Sequence, residues 1–206
     1  MPDTRVYVAD ANSTDGTPEM ARSFPARYSI EVLAGGLPSV GRNAGALRAT
    51  TPYVLFLDAD VELHDPTLLR RALRAMQRQH LHCLTTNIRC IGGNPADWLL
   101  FGGSNVVQKL SRWGLPFATG MFMMFDREEF KRLGGFNEHA LFAEDYLLTK
   151  EVERKRFAVM PGEIMTSNRR FRKMGHLRIT GMFFLTALNS YNQNYFLRDQ
   201  GYWEES

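Results

Sequence analysis

Two aspartates one residue apart, Asp58 and Asp60, follow the apolar stretch "YVLFL" in "YVLFLDADVEL". Paired carboxylates repel each other, so a fold tolerates them best with a positive charge between them. Leaving one strand end together, they can hold a hard divalent cation, which takes oxygen ligands and completes its octahedral shell with water and phosphate oxygens. A metal bound there would neutralise a diphosphate. The spacing alone argues little, because ten Asp in 206 residues give about 0.5 chance Asp-x-Asp matches. Solvated turn aspartates, with Asp65 capping the next helix, fit the same residues. The weight therefore falls on the elements that deliver the pair.

Those elements alternate. "RVYVAD" reads as a strand ending in Asp10, and "NSTDGTPEMARSF" as a turn and then a helix with Pro18 near its start. "SIEVLAGG" is the next strand. Ser39 then caps a helix with Val40, Ala44 and Leu47 on one face, and the buried strand before Asp58 follows. A helix from Asp65 and Pro66 presents Leu69, Ala72, Leu73 and Met76. "HCLTTNI" and "FATGMFMMFD" are further strands around a less readable "ADWLLFGGSN", with Met121, Met123 and Met124 as core filling. A helix runs from Glu144 to about Arg154, and "FAVMPG" is the last strand. Such alternation predicts an α/β fold, Rossmann-like, with a mainly parallel sheet and helices on both faces. Ligands bind outside the carboxyl ends of strands in such sheets. Asp10, Asp58 and Asp60 all stand at such ends.

Composition excludes several classes. At 44% hydrophobic and 23% charged, the chain has no disordered bias. Net charge is +3, with nine Lys/Arg against three Glu from Lys150 to Arg178, a region that suits an anion or a solvated basic surface equally. Within it, Arg170 and its neighbours Arg169 and Arg172 could grip a diphosphate bidentately. The two cysteines, Cys83 and Cys90, suggest neither a disulfide framework nor a zinc site, and fit a reducing cytoplasm. No signal peptide is visible, and "MFFLTAL" falls far short of the roughly 20 apolar residues of a membrane span. His176 is a weak further metal candidate.

In this order and at these separations, "VYVADANSTDGT", "GRNAGALRATTPYVLFLDADVEL" and "TGMFMMFDREEFKRLGGFNEHALFAEDYLLTKEVERKRF" resemble the family 2 glycosyltransferases of the GT-A, nucleotide-diphospho-sugar transferase fold. The resemblance covers roughly Arg5 to Gly175, so a domain over residues 1–176 is expected, followed by a helical tail over 177–206. It implies that Asp10 contacts the nucleotide base, that Arg42 and Asn43 flank the nucleotide, and that Asp60 meets the cation with Asp58 beside it or the ribose. Thr119 and Gly120 would line the sugar and acceptor site, and in the pair Glu144 and Asp145 the aspartate would be the catalytic base. A hydrogen-bonded buried amide is the alternative reading of Asn43. The implied reaction is metal-dependent glycosyl transfer, inverting, from a nucleotide sugar to the hydroxyl of a sugar or lipid-linked acceptor, with Mg²⁺ or Mn²⁺ as cofactor. No nucleic acid partner is expected. The location implied is cytoplasmic; the tail is expected to dock on the domain first, with peripheral membrane contact second.

One departure accompanies the resemblance. The family's usual first strand, central between those matching Val6–Ala9 and Tyr53–Leu57, has no counterpart here, and its absence would leave two rows of unpaired backbone groups. A non-catalytic, glycosyltransferase-like binding domain is the alternative reading. A haloacid-dehalogenase-type phosphatase also uses an Asp-x-Asp, but it needs the pair near its first strand, and here strands precede it.

Overall fold

The computed structural model describes residues 4–199. In chain order its elements are β1 (Arg5–Asp10), α1 (Thr17–Ser23), β2 (Ser29–Ala34), α2 (Pro38–Arg48), β3 (Tyr53–Leu57), β4 (Val61–Glu62) and α3 (Leu68–Gln79). There follow β5 (Cys83–Cys90), α4 (Pro95–Ser111), β6 (Phe122–Asp126), α5 (Arg127–Arg132), α6 (Glu144–Thr149) and β7 (Phe157–Thr166). The C-terminal segment adds α7 (Arg169–Met174), α8 (His176–Leu188) and α9 (Gln193–Phe196). Residues 1–3 and 200–206, the latter part of the expected tail, lie outside the described residues.

The larger sheet has the order β3-β6-β5-β7-β4. Period-2 alternation sends Leu84, Phe122 and Met124 to one face with Leu68, Ala72 and Met76 of α3. Cys83, Met123 and Phe125 go to the other, with Phe56, Phe130, Phe136, Leu148 and Val152. The α/β fold with both faces covered is thus present, and Met123 and Met124 are core. The expectation of a mainly parallel sheet is corrected to a mixed one: in this sheet only β5 and β7 run parallel, while β6 is antiparallel to β3 and β5, and β4 to β7. The cause is α4, which runs back along β5, Asn105 bonding to Ile88 and Gln108 to Thr86. Residues 112–121 then cross again, so β6 enters from the opposite end.

β1 and β2 form a separate parallel pair, from Arg5↔Ser29 to Asp10↔Ala34. Among the described residues β1 pairs with β2 alone and β3 with β6 alone, so the expected open edges on both strands are observed. α2 bridges them. Its inner face is made of small residues, not of Val40, Ala44 and Leu47: Leu47 is 83% exposed, and Gly41 lies so close to β1 that a Cβ would stand 2.8 Å from Ala9 Cβ. Ala46 continues that face into the Phe56 cluster. Leu37, not Ser39, occupies the cap position, with Pro38 following. On α3, likewise, the inward residue is Leu68, and Leu69 is exposed.

α6 stops at Thr149 where a helix to Arg154 was expected. Thr149 Oγ1 back-bonds to Asp145 O at 2.8 Å and accepts from Ala118 N at 3.3 Å, and Glu151 and Val152 tighten the last turn with bonds three residues back. The described part of the tail docks through residues 190–196: Phe196 is buried against Ala140 and Phe142, Leu141 N donates to Phe196 O at 2.9 Å, and Lys150 Nζ donates to Ser190 O at 2.6 Å. α8 itself buries only Ile179.

Candidate active site

The positive charge that the aspartate pair calls for is Arg42. Its guanidinium, stacked 5.4 Å from the Phe136 ring centroid, donates from Nη2 to Asp58 Oδ1 at 2.6 Å and from Nη1 to Glu144 Oε1 at 2.5 Å. One partly buried fork thereby fastens the end of β3 to the first turn of α6 from its seat on α2. Burial works against the guanidinium's charge, but attraction to Asp58, Glu144 and Asp145 outweighs it and raises its hold on its proton. Glu144 is buried with Arg42 as its partner. Gly120 is required by the same fork, since a Cβ there would lie 2.3 Å from Arg42 Nη2.

Asp145 lies beside this fork. Its Oδ2 accepts from Gly120 N at 2.7 Å and its Oδ1 from Tyr146 N at 2.7 Å. Burial pushes its carboxyl up to about 7, Glu144 adds repulsion, and Arg42 and the two N–H groups oppose the rise. The residue as a whole is only partly buried. Next to Gly120, Thr119 Oγ1 is buried without a hydrogen-bond partner, although Thr119 N donates to Gln108 Oε1 at 3.4 Å. An unpaired buried hydroxyl is costly, and this one belongs to the residue before Gly120, whose N–H holds Asp145.

Asp60 is exposed, with Arg169 Nη2 4.0 Å from its Oδ2. Arg170 follows Arg169 in α7. No group of three or more metal-ligating side chains occurs among the described residues. Two carboxylates at one strand end still suit a Mg²⁺-type ion, which draws most ligands from water and phosphate, but one oxygen of Asp58 is already taken by Arg42.

The other expected residues stand apart. Asp10 ends β1 in the smaller sheet, its Oδ2 accepting from Ser13 N at 2.9 Å and its O from Gly35 N at 2.7 Å. The Asn43 amide is spent on the 134–138 loop: Nδ2 donates to Phe136 O and Glu138 Oε1, and Oδ1 accepts from Phe136 N at 2.9 Å. His176 bonds to Asp97 Oδ1 at 2.7 Å, and Asp97 is held below the usual carboxylate range by Asn168, against the effect of burial and with help from His176 and Asn94. Sequence reasoning missed Phe136 under Arg42 and the link from Arg169 to Asp60; the basic run "SNRRFRKMG" was the one available signal for the latter.

The sequence model of glycosyl transferase family 2 matches residues 1–134. Among solved structures, a mannosyltransferase from Pyrobaculum calidifontis in complex with GDP-Man and Mn²⁺ is similar at 20% identity and TM-score 0.65, covering 90% of this chain and 55% of that one. TarS residues 1–349 of S. aureus with UDP-GlcNAc match at 20% and 0.58, covering 77% and 49%. Mannosyl-3-phosphoglycerate synthase from Rubrobacter xylanophilus matches at 20% and 0.57, covering 96% and 66%. The chain spans about half to two thirds of these proteins, and at this identity they establish its GT-A type α/β fold. No curated protein sequence matches the chain. The match over residues 1–134, well over half the chain, settles its membership: it belongs to glycosyl transferase family 2.

Proposed function

We propose that this chain transfers a glycosyl group from a nucleoside diphosphate sugar to an acceptor hydroxyl with inversion, Asp145 acting as base. The observation that carries the reading is the Asp145 carboxylate, pushed up to about 7 and held by the N–H of Gly120, the residue after Thr119 with its buried unpartnered hydroxyl. A base of that affinity is ionised in part near neutrality and still takes a proton in the transition state. The acceptor oxygen bonds to the anomeric carbon as its bond to the diphosphate oxygen breaks, and the acceptor proton passes to Asp145. Thr119 Oγ1 supplies a hydrogen bond to the sugar or acceptor. Asp60 and the second oxygen of Asp58 would hold Mg²⁺ or Mn²⁺, which stabilises charge on the departing diphosphate. Arg169 and Arg170 meet the same diphosphate, and Asp10 faces the base. Arg42 and Asn43 position: one sets Asp58 against Glu144, the other fixes the 134–138 loop. The neighbours in complex with GDP-Man and UDP-GlcNAc support the donor class.

A second reading, a donor-binding domain without turnover, is favoured by the open edges of β1 and β3, which leave Asp10 on a separate sheet from Asp58. Calorimetry with GDP and UDP in manganese, paired with donor-turnover assays, separates the two. Asp60→Asn is expected to weaken nucleotide binding only when manganese is present, and Asp145→Asn to reduce turnover by roughly 10²-fold with donor binding kept. Equal turnover by Asp145→Asn and the parent rules out this base.

A further inference from the structure

α4 is inverted relative to an ordinary surface helix. Its inward residues are largely polar: Asp97 and Gln108 are buried with Phe101, and Asn105 donates to Ile88 O and accepts from Ile88 N, each at 2.8 Å. Its outward residues are largely apolar, with Lys109 among them. Leu99, Val106 and Leu110 recur at helical spacing with Gly102 and Gly103 between them, and Trp113 follows just past the helix end; Leu99 is 76% and Trp113 67% exposed. α8 repeats the pattern with Leu177, Phe184 and Leu188 outward, Leu177 being 91% exposed. The two helices pack against each other and are tied at their N-terminal ends by the His176 to Asp97 bond.

Charge identifies what covers this surface. Residues 171–198 hold four Lys/Arg and no Asp or Glu, and residues 98–113 hold Lys109 and Arg112 with no acid. Apolar side chains among one-sided positive charge fit a surface that is apolar beneath and anionic on top. Trp98, Trp113 and Tyr191 are exposed, and such amphipathic rings favour the headgroup level. α8, at 13 residues, is about 20 Å long, short of the ~30 Å hydrocarbon core. No helix among the described residues is long and apolar enough to cross a membrane. We propose that α4 and α8 together form a docking surface that lies in the headgroup region of an anionic lipid bilayer. The proposal is independent of the catalytic reading, although α7, with Arg169 near Asp60, joins this surface to the site.

The test is co-sedimentation of the full chain with vesicles of phosphatidylcholine alone or mixed in equal parts with phosphatidylglycerol. Binding to the mixed vesicles is expected, about tenfold or more tighter than to the neutral ones and weakened by salt. Leu99→Gln with Leu110→Gln on α4, and separately Phe184→Gln with Leu188→Gln on α8, should each weaken it by about tenfold. All four side chains are exposed, so unchanged thermal melts are expected alongside. No binding to either vesicle, equal binding to both, or sensitivity to the α8 pair but not the α4 pair would overturn the proposal. So would a lipid-free dimer, seen by sedimentation velocity, that both variant pairs dissociate while vesicle binding is absent; the surface would then belong to a second copy of the chain.

Discussion

Asp145 and Glu144 are adjacent carboxylates in one turn, and their surroundings divide them. Glu144 has the Arg42 guanidinium, whereas Asp145 has only backbone N–H groups and the more distant charge of Arg42. The raised Asp145 carboxyl makes a claim about stability. A group whose folded value is about 7 against 3.8 for the free side chain binds more protons folded than unfolded in that window, so its contribution to stability is greatest below about pH 4, falls as pH rises to about 7, and is flat beyond. Asn cannot titrate, and its single acceptor oxygen cannot serve both Gly120 N and Tyr146 N, which is a roughly pH-independent cost of about 1–3 kcal/mol. The unfolding free energy of Asp145→Asn minus that of the parent should therefore rise by about 2–4 kcal/mol from pH 4 to pH 8. Denaturant titrations at several pH values measure it; a flat difference would return Asp145 to the ordinary carboxylate range.

At the scale of elements, α2 does the positioning. Its small inner residues let it lie close on β1, and that approach aims Arg42 at Asp58 and Asn43 at the 134–138 loop. Gly135 turns there with φ 74°, and a Cβ would stand 2.8 Å from Asn43 Oδ1. Asn43→Ala removes the partners of Phe136 N and O, and is expected to cost about 1–3 kcal/mol in thermal or denaturant unfolding. A loss below about half a kcal/mol would show that the loop holds without α2. The helical period of α2 was legible in the sequence, but its buried face was not, because a search for large apolar residues passes over a face built from glycine and alanine. α4 was unreadable for the related reason that its apolar stripe faces outward, so period and burial point in opposite directions.

At the scale of the whole molecule, stability is unevenly spread. β5 is buried along nearly its whole length between β6 and β7, while Leu33 is the one buried side chain of β1 and β2, and α1 buries none. Native-state hydrogen exchange should open β1 and β2 at a free energy well below that for β5; equal protection would mean that the two sheets unfold as one. The sequence by itself determined the α/β alternation, the strand before Asp58, the methionine core of β6 and the family, since these rest on local period and on residues fixed in order along the chain. Only the tertiary structure decided that the larger sheet is mixed, that Arg42 answers the Asp58 charge, that Asn43 is spent on a loop, and that Asp145 is raised while Glu144 is paired. Each of those depends on which groups meet across separations such as the 102 residues between Arg42 and Glu144, and on how much water remains between them.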